Sequence, residues 1–456
     1  MFVEGKGDAG SFNRELKSVH LAMLSEFQNH ISQNLSFLKG KKLLIAVSGG
    51  IDSMVLLHLF RQSDFNISVA HCNFKLRGSE SEGDEVFVES VCNRYHIKLF
   101  VNHFDTKKYA DLYKLSIQVA ARQLRYNWFN EILENEGFDY LLTAHHLDDS
   151  IETFLINFSR GTGLEGLTGI PQQNGKIIRP LLSFSREYIE SYAQENVVQW
   201  REDSSNASDK YLRNKLRHNV IPILKELNSG FSDSFQQTLK NLQQAQSMVD
   251  DASRIVYRKV VEDVDYQKRI NLTELLILPN YQAYLYQWLK PFGFTAWNDI
   301  YDLVHAQSGK QIFSDQYRLL KDRNELILAE KSEAESETFL VYQDNTNLNV
   351  PLKLKVCNKG DITLDQKDCI FVDKDTLKFP LVFRKWQEGD YFYPSGMLGK
   401  KKVSKYFKDE KFSLIDKENA RLLCSENEVV WIVGKRADRR FSVNKTTQTI
   451  IKIQLK

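Results

Sequence analysis

Cysteine is scarce in this 456-residue chain: five residues, Cys72, Cys92, Cys357, Cys369 and Cys424, an odd number with no C-x-x-C pair. That argues against a disulfide framework, a zinc ribbon and a thiol-relay enzyme, and a reducing compartment, the cytoplasm, is expected. No stretch reaches the roughly 20 apolar residues that a bilayer span needs. The opening residues, MFVEGKGDAGSFNRELKSVH, lack the apolar run of a signal peptide, so no membrane partner is expected. An excess of one charge is missing as well, with 61 Lys and Arg against 59 Asp and Glu for a net charge of +2. Whole-chain charge therefore carries no signature of nucleic acid, and any basic surface must be local. Internal repeats and low-complexity tracts are absent.

What is present suits folded domains. Hydrophobic residues make up 42% and aromatics 12%, enough for real cores, and the length suggests two to four domains at about 150 residues each. Residues 1–40 read as a loose tail and then a helix carrying Leu21, Leu24, Phe27 and Ile31 at helical spacing. From Lys41 to about Arg179 short apolar runs alternate with helical stretches. Leu43–Val47, Ile67–Ala70, Ile97–Val101 and Tyr140–Ala144 are expected strands, and Asp84–Tyr95 and Gln118–Glu136 expected helices. Strand–helix alternation implies right-handed crossovers and an α/β fold with a parallel, Rossmann-like sheet covered on both faces. Ligands of such sheets sit at the carboxyl ends of strands, where Ser48–Ser53, His71–Arg77 and His145–Asp149 fall. Residues 220–335 turn helical, as in Phe235–Met248 and Tyr281–Leu289, and Glu330–Glu337 reads as a linker. Residues 338–456 read as a small strand-rich α+β domain, with Leu352–Val356, Val429–Val433 and Thr449–Ile453 as strands.

Ser48-Gly49-Gly50-Ile51-Asp52-Ser53 lies between the first strand and a helix. Two glycines allow a sharp turn and close approach to a ligand. The helix start offers free N–H groups to an anion, and Ser48 and Ser53 add hydroxyl donors. Asp52 repels phosphate unless a cation intervenes, so Mg²⁺ is a natural companion. No Lys follows the glycines, which sets the loop apart from the G-x-x-x-x-G-K-[ST] type. A plain glycine turn before a capped helix is the structural alternative. S-G-G-x-D-S resembles the pyrophosphate loop of the ATP pyrophosphatases (PP-loop proteins), which implies cleavage of ATP to AMP and pyrophosphate, usually to adenylate a carbonyl oxygen that a nucleophile then attacks.

Further segments narrow the resemblance: His71–Arg77, Ala120–Tyr126, Ala144–Thr153, Arg160–Leu167, Arg179–Leu182, Asp203–Asn206, Arg213–Arg217, Gly389–Phe392, Gly396–Lys401 and Val433–Arg436. In this order they resemble the tRNA(Ile)-lysidine synthases across the catalytic domain (41–219) and much of 338–456, with little of it in 220–335. Phe74 departs from the family, which often has a second histidine there. The resemblance implies an ATP-dependent carbon–nitrogen ligase. It would join free L-lysine to the wobble cytidine of the CAU anticodon of tRNA(Ile), changing its reading from AUG to AUA. It further implies that ATP lies on Ser48, Gly49, Gly50, Ile51, Asp52 and Ser53, with Arg125, His145 and Asp149 at the reaction centre beside Asp52. His145 and Asp149 are four apart, on one face of a helix if it has begun. Asp148, favoured by the helix dipole, is a second candidate beside Asp52 for the metal, or simply a first-turn acid. Arg125 suits phosphate or oxyanion charge, and is otherwise a surface arginine; Arg122, one turn away, is a weaker candidate.

Two local basic patches suit RNA. Lys210–Lys225 holds five basic residues and no acid, among them Arg213, Lys215 and Arg217; Arg384–Lys417 holds nine basic against five acidic, densest at Lys400, Lys401 and Lys402. Tyr391, Phe392, Tyr393, Tyr406 and Phe407 interleave with the second, so that lysines would meet phosphates and aromatics stack on bases; solvated charge over an aromatic core is the alternative. The rival functions are another PP-loop enzyme such as a tRNA thiolase, a non-catalytic RNA-binding relative, and a small-molecule synthetase. Oligomeric state stays open, a homodimer included.

Overall fold

The computed structural model describes residues 23–202, 212–264, 266–331, 338–343, 351–357, 368–397 and 399–456. The tail before Met23, the Asp203–Asn206 segment, Lys210, Leu398 and most of the expected linker (332–337) lie outside them. The chain forms two compact units, Met1–Asp250 and Asp251–Lys456.

In the first unit a helix over residues 23–34 (α1) lays Met23, Phe27 and Ile31 into the core at a spacing of four. Six strands follow: Leu43–Ala46 (β1), Ile67–Asn73 (β2), Leu99–His103 (β3), Tyr140–Leu142 (β4), Gln173–Asn174 (β5) and Ile177–Ile178 (β6). They form one sheet in the order β3-β2-β1-β4-β6-β5. β1 lies parallel between β2 and β4, with Leu43 opposite Ile67 and Tyr140; β5 and β6 close the edge as an antiparallel hairpin. The helices are Ile51–Gln62 (α2), Ser79–Arg94 (α3), Thr106–Tyr113 (α4), Ile117–Asn135 (α5), Leu147–Arg160 (α6), Arg186–Glu195 (α7), Leu212–Lys215 (α8), Ile221–Leu227 (α9) and Phe231–Val260 (α10), the last of which belongs to the second unit from Asp251 on. A π-helical turn, Leu216–Val220, joins α8 to α9.

The unbroken apolar run of β1 has a direct cause. Leu43 and Ile45 pack with α1, α2 and α7 residues such as Phe27, Leu56 and Ile189, while Leu44 packs on the opposite face with Phe129 and Leu133 of α5. A strand buried on both faces needs apolar residues at every position. The expected strands and helices are in place with small shifts. β3 starts two residues later than its apolar pattern suggested, and α3 starts at Ser79 because Gly78, at φ +54, turns the chain directly after Arg77. The parallel-sheet α/β reading holds, with the β5–β6 hairpin as an unforeseen antiparallel edge. Since β1 is flanked by β2 on one side and β4 on the other, the chain reverses its direction of growth there. The carboxyl ends of β1 and β4 therefore bound a crevice, the usual ligand position in such sheets.

The second unit carries the helices expected in its first part, Leu272–Leu276 (α11), Tyr281–Leu289 (α12) and Trp297–Leu303 (α13). It also carries an antiparallel sheet that the residue pattern did not reveal: Val261–Val264 (β7), Gln267–Asn271 (β8), Gln311–Phe313 (β9), Tyr317–Asp322 (β10) and Glu325–Glu330 (β11), in the order β7-β8-β11-β10-β9. Leu319 and Leu328 face the helices with Leu285 and Ile300, whereas Leu320, Ile327 and Ala329 face Ile415. With both faces covered, polar–apolar alternation is lost and the strand signal with it. Beyond it come Phe339–Val341 (β12), Leu352–Cys357 (β13), Cys369–Asp373 (β14), Leu381–Lys385 (β15), Tyr391–Phe392 (β16), Lys401–Lys402 (β17), Arg421–Ser425 (β18), Glu428–Ile432 (β19) and Ile450–Leu455 (β20), with helices Val403–Asp409 (α14) and Leu414–Asn419 (α15). These strands make sheets β12-β15-β18-β19 and β13-β20-β14 and a β16–β17 hairpin, so the strand-rich reading of this region holds. Arg318 reaches Glu418 at 2.6 Å and Arg269 reaches Asp416 at 3.4 Å, pinning α15 beside the β7–β11 sheet.

Leu56 is fully buried between sheet and helices. Leu56→Ala is expected to cost about 2–5 kcal/mol, read as a lower urea midpoint for the first unit; an unchanged midpoint would contradict the packing described.

Candidate active site

The turn after β1 is built from its own hydroxyls. Gly49 has φ +96, a conformation that side chains rarely adopt. Ser53 Oγ donates to Gly50 O at 2.8 Å and accepts from Ser48 N–H at 3.2 Å, and Gly50 N–H donates to Ser48 Oγ at 3.3 Å. Arg201 N–H donates to Gly49 O at 3.0 Å. Among the described residues no side chain caps the start of α2, so its first N–H groups and dipole end remain available for an anion. Behind the turn the buried His71 sits with Nδ1 2.9 Å from Val47 O, tying β2 to β1.

A cavity of about 290 Å³ opens at this crevice. Ser48, Gly50, Asp52 and Ser53 form one wall; Thr143, Ala144, His145 and Asp149, from the end of β4 and the start of α6, form another; Arg125 and Tyr126 of α5 and Phe74 after β2 close it. The four residues expected at the reaction centre, Asp52, Arg125, His145 and Asp149, thus line a single cavity although 97 positions separate the first from the last. Ala46, Val47, Ala70 and Phe129 give it an apolar floor.

Electrostatics in this cavity are set by burial and by close pairs. Burial pushes the His145 imidazole down to about 4, with Arg179, Arg213 and Arg122 acting in the same direction and Asp149 opposing them. His145 Nδ1 sits 2.9 Å from Thr143 Oγ1, which leaves Nε2 as the nitrogen for a ligand. Burial works against ionisation of Asp149, but His146 and His145, the His146 N–H donated at 2.9 Å, and Arg213 outweigh it and hold the carboxyl below its ordinary range. At neutral pH the pair is thus a neutral imidazole beside a carboxylate. Arg125 lies over the Phe74 ring, 5.2 Å from its centroid, and that ring stacks on Phe104 at 5.5 Å. The residue that departs from the family pattern therefore supports an arginine face. Burial pushes the Cys72 thiol up to about 12, despite nearby Arg125; a thiol of that kind supplies no thiolate for sulfur chemistry.

Asp52 and Asp148 differ in what they can offer a cation. One oxygen of Asp52 accepts from Arg186 Nη1, while Oδ1 is buried with no hydrogen-bond partner among the described residues, 3.8 Å from His146 Nε2. Mg²⁺ binds through one or two carboxylates plus substrate phosphates, and this orphaned oxygen fits such a role. Asp148 instead accepts from Arg186 N–H at 2.8 Å and from Lys225 Nζ at 2.9 Å, tying α7 and α9 to α6. Among the described residues no group of three or more His, Cys, Asp or Glu is placed to hold a metal by itself.

The basic residues expected to meet RNA are distributed unequally. Arg217 Nε donates to the fully buried Glu152 at 2.7 Å and its Nη2 lies 3.7 Å from Asp149; Arg213 Nε lies 3.3 Å from Glu152. Both therefore face α6 with part of each guanidinium exposed, and Lys215 stands exposed beside them. In the second unit Lys400 and Lys402 are exposed, whereas Lys401 pairs with Asp409 at 2.8 Å. Phe392, Tyr406 and Phe407 are buried in a hydrophobic cluster, so they are core rather than stacking surface. Tyr391 is exposed, with Lys400 Nζ 4.7 Å from its ring centroid. Arg186 was not foreseen, since a lone arginine after a helix-capping serine gives no signal in the sequence. Glu152 lay within a noted segment, but only the structure shows it as the anchor of two arginines.

Fold and loop together define a class, the PP-loop domain, which uses ATP as substrate. Residues 23–224 match that domain family; residues 263–331 match the TilS substrate binding domain and residues 381–455 the TilS substrate C-terminal domain. The chain is 39% identical to a tRNA(Ile)-lysidine synthase of Bacteroides thetaiotaomicron over 433 residues, covering 92% of this chain and 97% of that one. It is 37% identical to that of Parabacteroides distasonis (94% and 99% covered) and 30% identical to that of Bacillus subtilis (87% and 90% covered). The chain belongs to the tRNA(Ile)-lysidine synthase family. No helix among the described residues is long and apolar enough to cross a membrane.

A pH dependence follows from His145. Its pKa is 6.5 unfolded and about 4 folded, so as pH falls the unfolded chain takes up this proton first. The stability linked to His145 is whole above about 6.5 and is lost progressively toward pH 4. His145→Gln should flatten this part of the stability curve, read from urea midpoints at several pH values. Parallel curves for the two proteins would contradict the buried, neutral imidazole.

Proposed function

We propose that the chain is a cytoplasmic ATP-dependent carbon–nitrogen ligase that joins the ε-amine of free L-lysine to C2 of the wobble cytidine in the CAU anticodon of tRNA(Ile). The observation that carries this reading is the convergence of the phosphate-type turn with Arg125, His145 and Asp149 on one cavity. The relatives' name supports the choice of substrate.

In the first step cytidine O2 bonds to the α-phosphorus of ATP as the bond to the bridging oxygen breaks, and pyrophosphate leaves with the electron pair. Ser48 through its hydroxyl and Gly49, Ile51 and Ser53 through their backbone N–H groups hold the phosphates, Gly50 allows their close approach, and Arg125 offsets the charge that grows on the α-phosphate. Mg²⁺, held by Asp52 with the phosphates, would neutralise negative charge on the triphosphate. In the second step the lysine amine attacks C2 and AMP departs. The Asp149 carboxylate draws in the ammonium, and His145, a neutral imidazole with one unprotonated nitrogen at neutral pH, accepts a proton as the C–N bond forms, with Asp149 stabilising the imidazolium.

Residues 41–219 would form the catalytic domain behind the helix of 1–40, residues 220–335 a substrate-binding domain and residues 338–456 a tRNA-binding domain. Lys400 and Lys402 would contact phosphates, joined by Lys215 and the exposed edges of Arg213 and Arg217. Lys401, which spends its charge on Asp409, would contribute less.

Incubation with ATP, labelled lysine and tRNA(Ile) should give labelled RNA and AMP in equal amounts, and Asp52→Ala should abolish both. Label confined to free lysine, or wild-type turnover by Asp52→Ala, would overturn the proposal.

A further inference from the structure

A separate cavity of about 60 Å³ lies between α2, the end of α3 and the residues that follow α7, and it shares no lining residue with the active-site cavity. Since a water needs roughly 10–15 Å³, the space suits about five small atoms, such as those of a single phosphate. Among the described residues no carboxylate lines it, whereas Arg61 of α2 and Arg94 at the end of α3 both do, with Gln199 beside them. The buried side chains of Met54, Leu57 and Val91 form its apolar back, which strengthens any charge–charge contact made in front of it.

The two guanidiniums are oriented by neutral partners. Arg61 lies over the Tyr95 ring, 4.1 Å from its centroid, and its Nε is buried with no hydrogen-bond partner among the described residues. A buried donor left without an acceptor is costly, and an anion oxygen would satisfy it. Arg94 Nη1 donates to Gln199 Oε1 at 3.3 Å, a bond that leaves the Gln199 amide N–H groups and most of the Arg94 N–H donors for a ligand. Forked donors preset in this way are suited to phosphate oxygens, and pre-ordering lowers the entropic cost of binding. At the rim Val197 stands at φ +52, a conformation that β-branched residues rarely adopt. Backbone strain of this kind collects at ligand clamps.

We infer that this cavity binds one phosphate-type oxyanion, clamped between Arg61 and Arg94 with the Gln199 amide as a third donor. The bound anion ties α2, α3 and the segment after α7 together. That segment runs on to Arg201, whose N–H is donated to Gly49 O at 3.0 Å, and α2 starts at the same turn. The anion therefore braces two elements that hold the Ser48–Ser53 turn without entering the active-site cavity. The site stands apart from the proposed ligase reaction, since it needs neither ATP nor lysine nor cytidine. Free phosphate and a backbone phosphate of RNA share the chemistry it recognises.

The test is calorimetric titration of the full-length protein with inorganic phosphate, after the active-site cavity has been filled with α,β-methylene ATP and Mg²⁺, for wild type, Arg61→Gln and Arg94→Gln. Wild type should take up a single phosphate. Each substitution should weaken it by about tenfold to a hundredfold, with affinity for the ATP analogue within about twofold of wild type. Arg94 is exposed, so Arg94→Gln serves where Arg61→Gln fails to fold by its melting curve. A parallel titration with tRNA(Ile) separates the two sources. Unchanged RNA affinity in the variants assigns the site to free phosphate, and weaker affinity with a shallower salt dependence assigns it to the RNA backbone. No phosphate uptake by wild type once the analogue is bound, or wild-type phosphate affinity in either folded variant, would overturn the inference.

Discussion

At the end of β1 the backbone must reverse while leaving the first N–H groups of α2 unspent. A side-chain cap would satisfy those donors and end their use for a ligand. Here the hydroxyls of Ser48 and Ser53 bond within the turn, to each other's surroundings and to Gly50, and the helix end stays open. That arrangement requires Gly49 in a left-handed conformation and a strand rigid enough to hold it. The double-sided burial of Leu43, Leu44 and Ile45 supplies the rigidity. The rest of the site is organised around this open end.

The second element is the segment that enters α6, where His145, Asp148, Asp149 and Glu152 take different duties. Asp148 is consumed in joining α7 and α9 to α6, and Glu152 in anchoring Arg213 and Arg217. Asp149 and His145 are left for the cavity. A buried, uncompensated carboxylate is costly; Arg213 and Arg217 offset that cost by approaching from the segment that also presents Lys215 to solvent. The structural and chemical duties of this acidic cluster are therefore divided residue by residue.

Much of this was legible in the amino-acid order. The turn, the parallel sheet and the meeting of Asp52 with His145 and Asp149 could be read because strand ends in α/β sheets collect ligands and these motifs fall at those ends; Arg125, inside a helix, was brought to the reaction centre only by the family resemblance. The β7–β11 sheet was not legible, since strands such as Leu326–Ala329 are buried on both faces and show no alternation. Nor was the inward turn of Arg217, because a run of basic residues looks the same whether it meets solvent or a buried glutamate. Phe392, Tyr406 and Phe407 mislead for a similar reason: an aromatic beside lysines has the same pattern in a core as on a stacking surface. Arg186 and Arg201 are brought to the turn by distant partners, Asp52 and Asp84, which no local spacing encodes.

The central claim is that the turn directs ATP at a nucleobase oxygen and not at the amino acid. Incorporation of radiolabelled pyrophosphate into ATP reports the reverse of the first step alone. Exchange is expected when tRNA(Ile) is present and lysine is omitted, and none with lysine but no RNA. Exchange driven by lysine without RNA would contradict it.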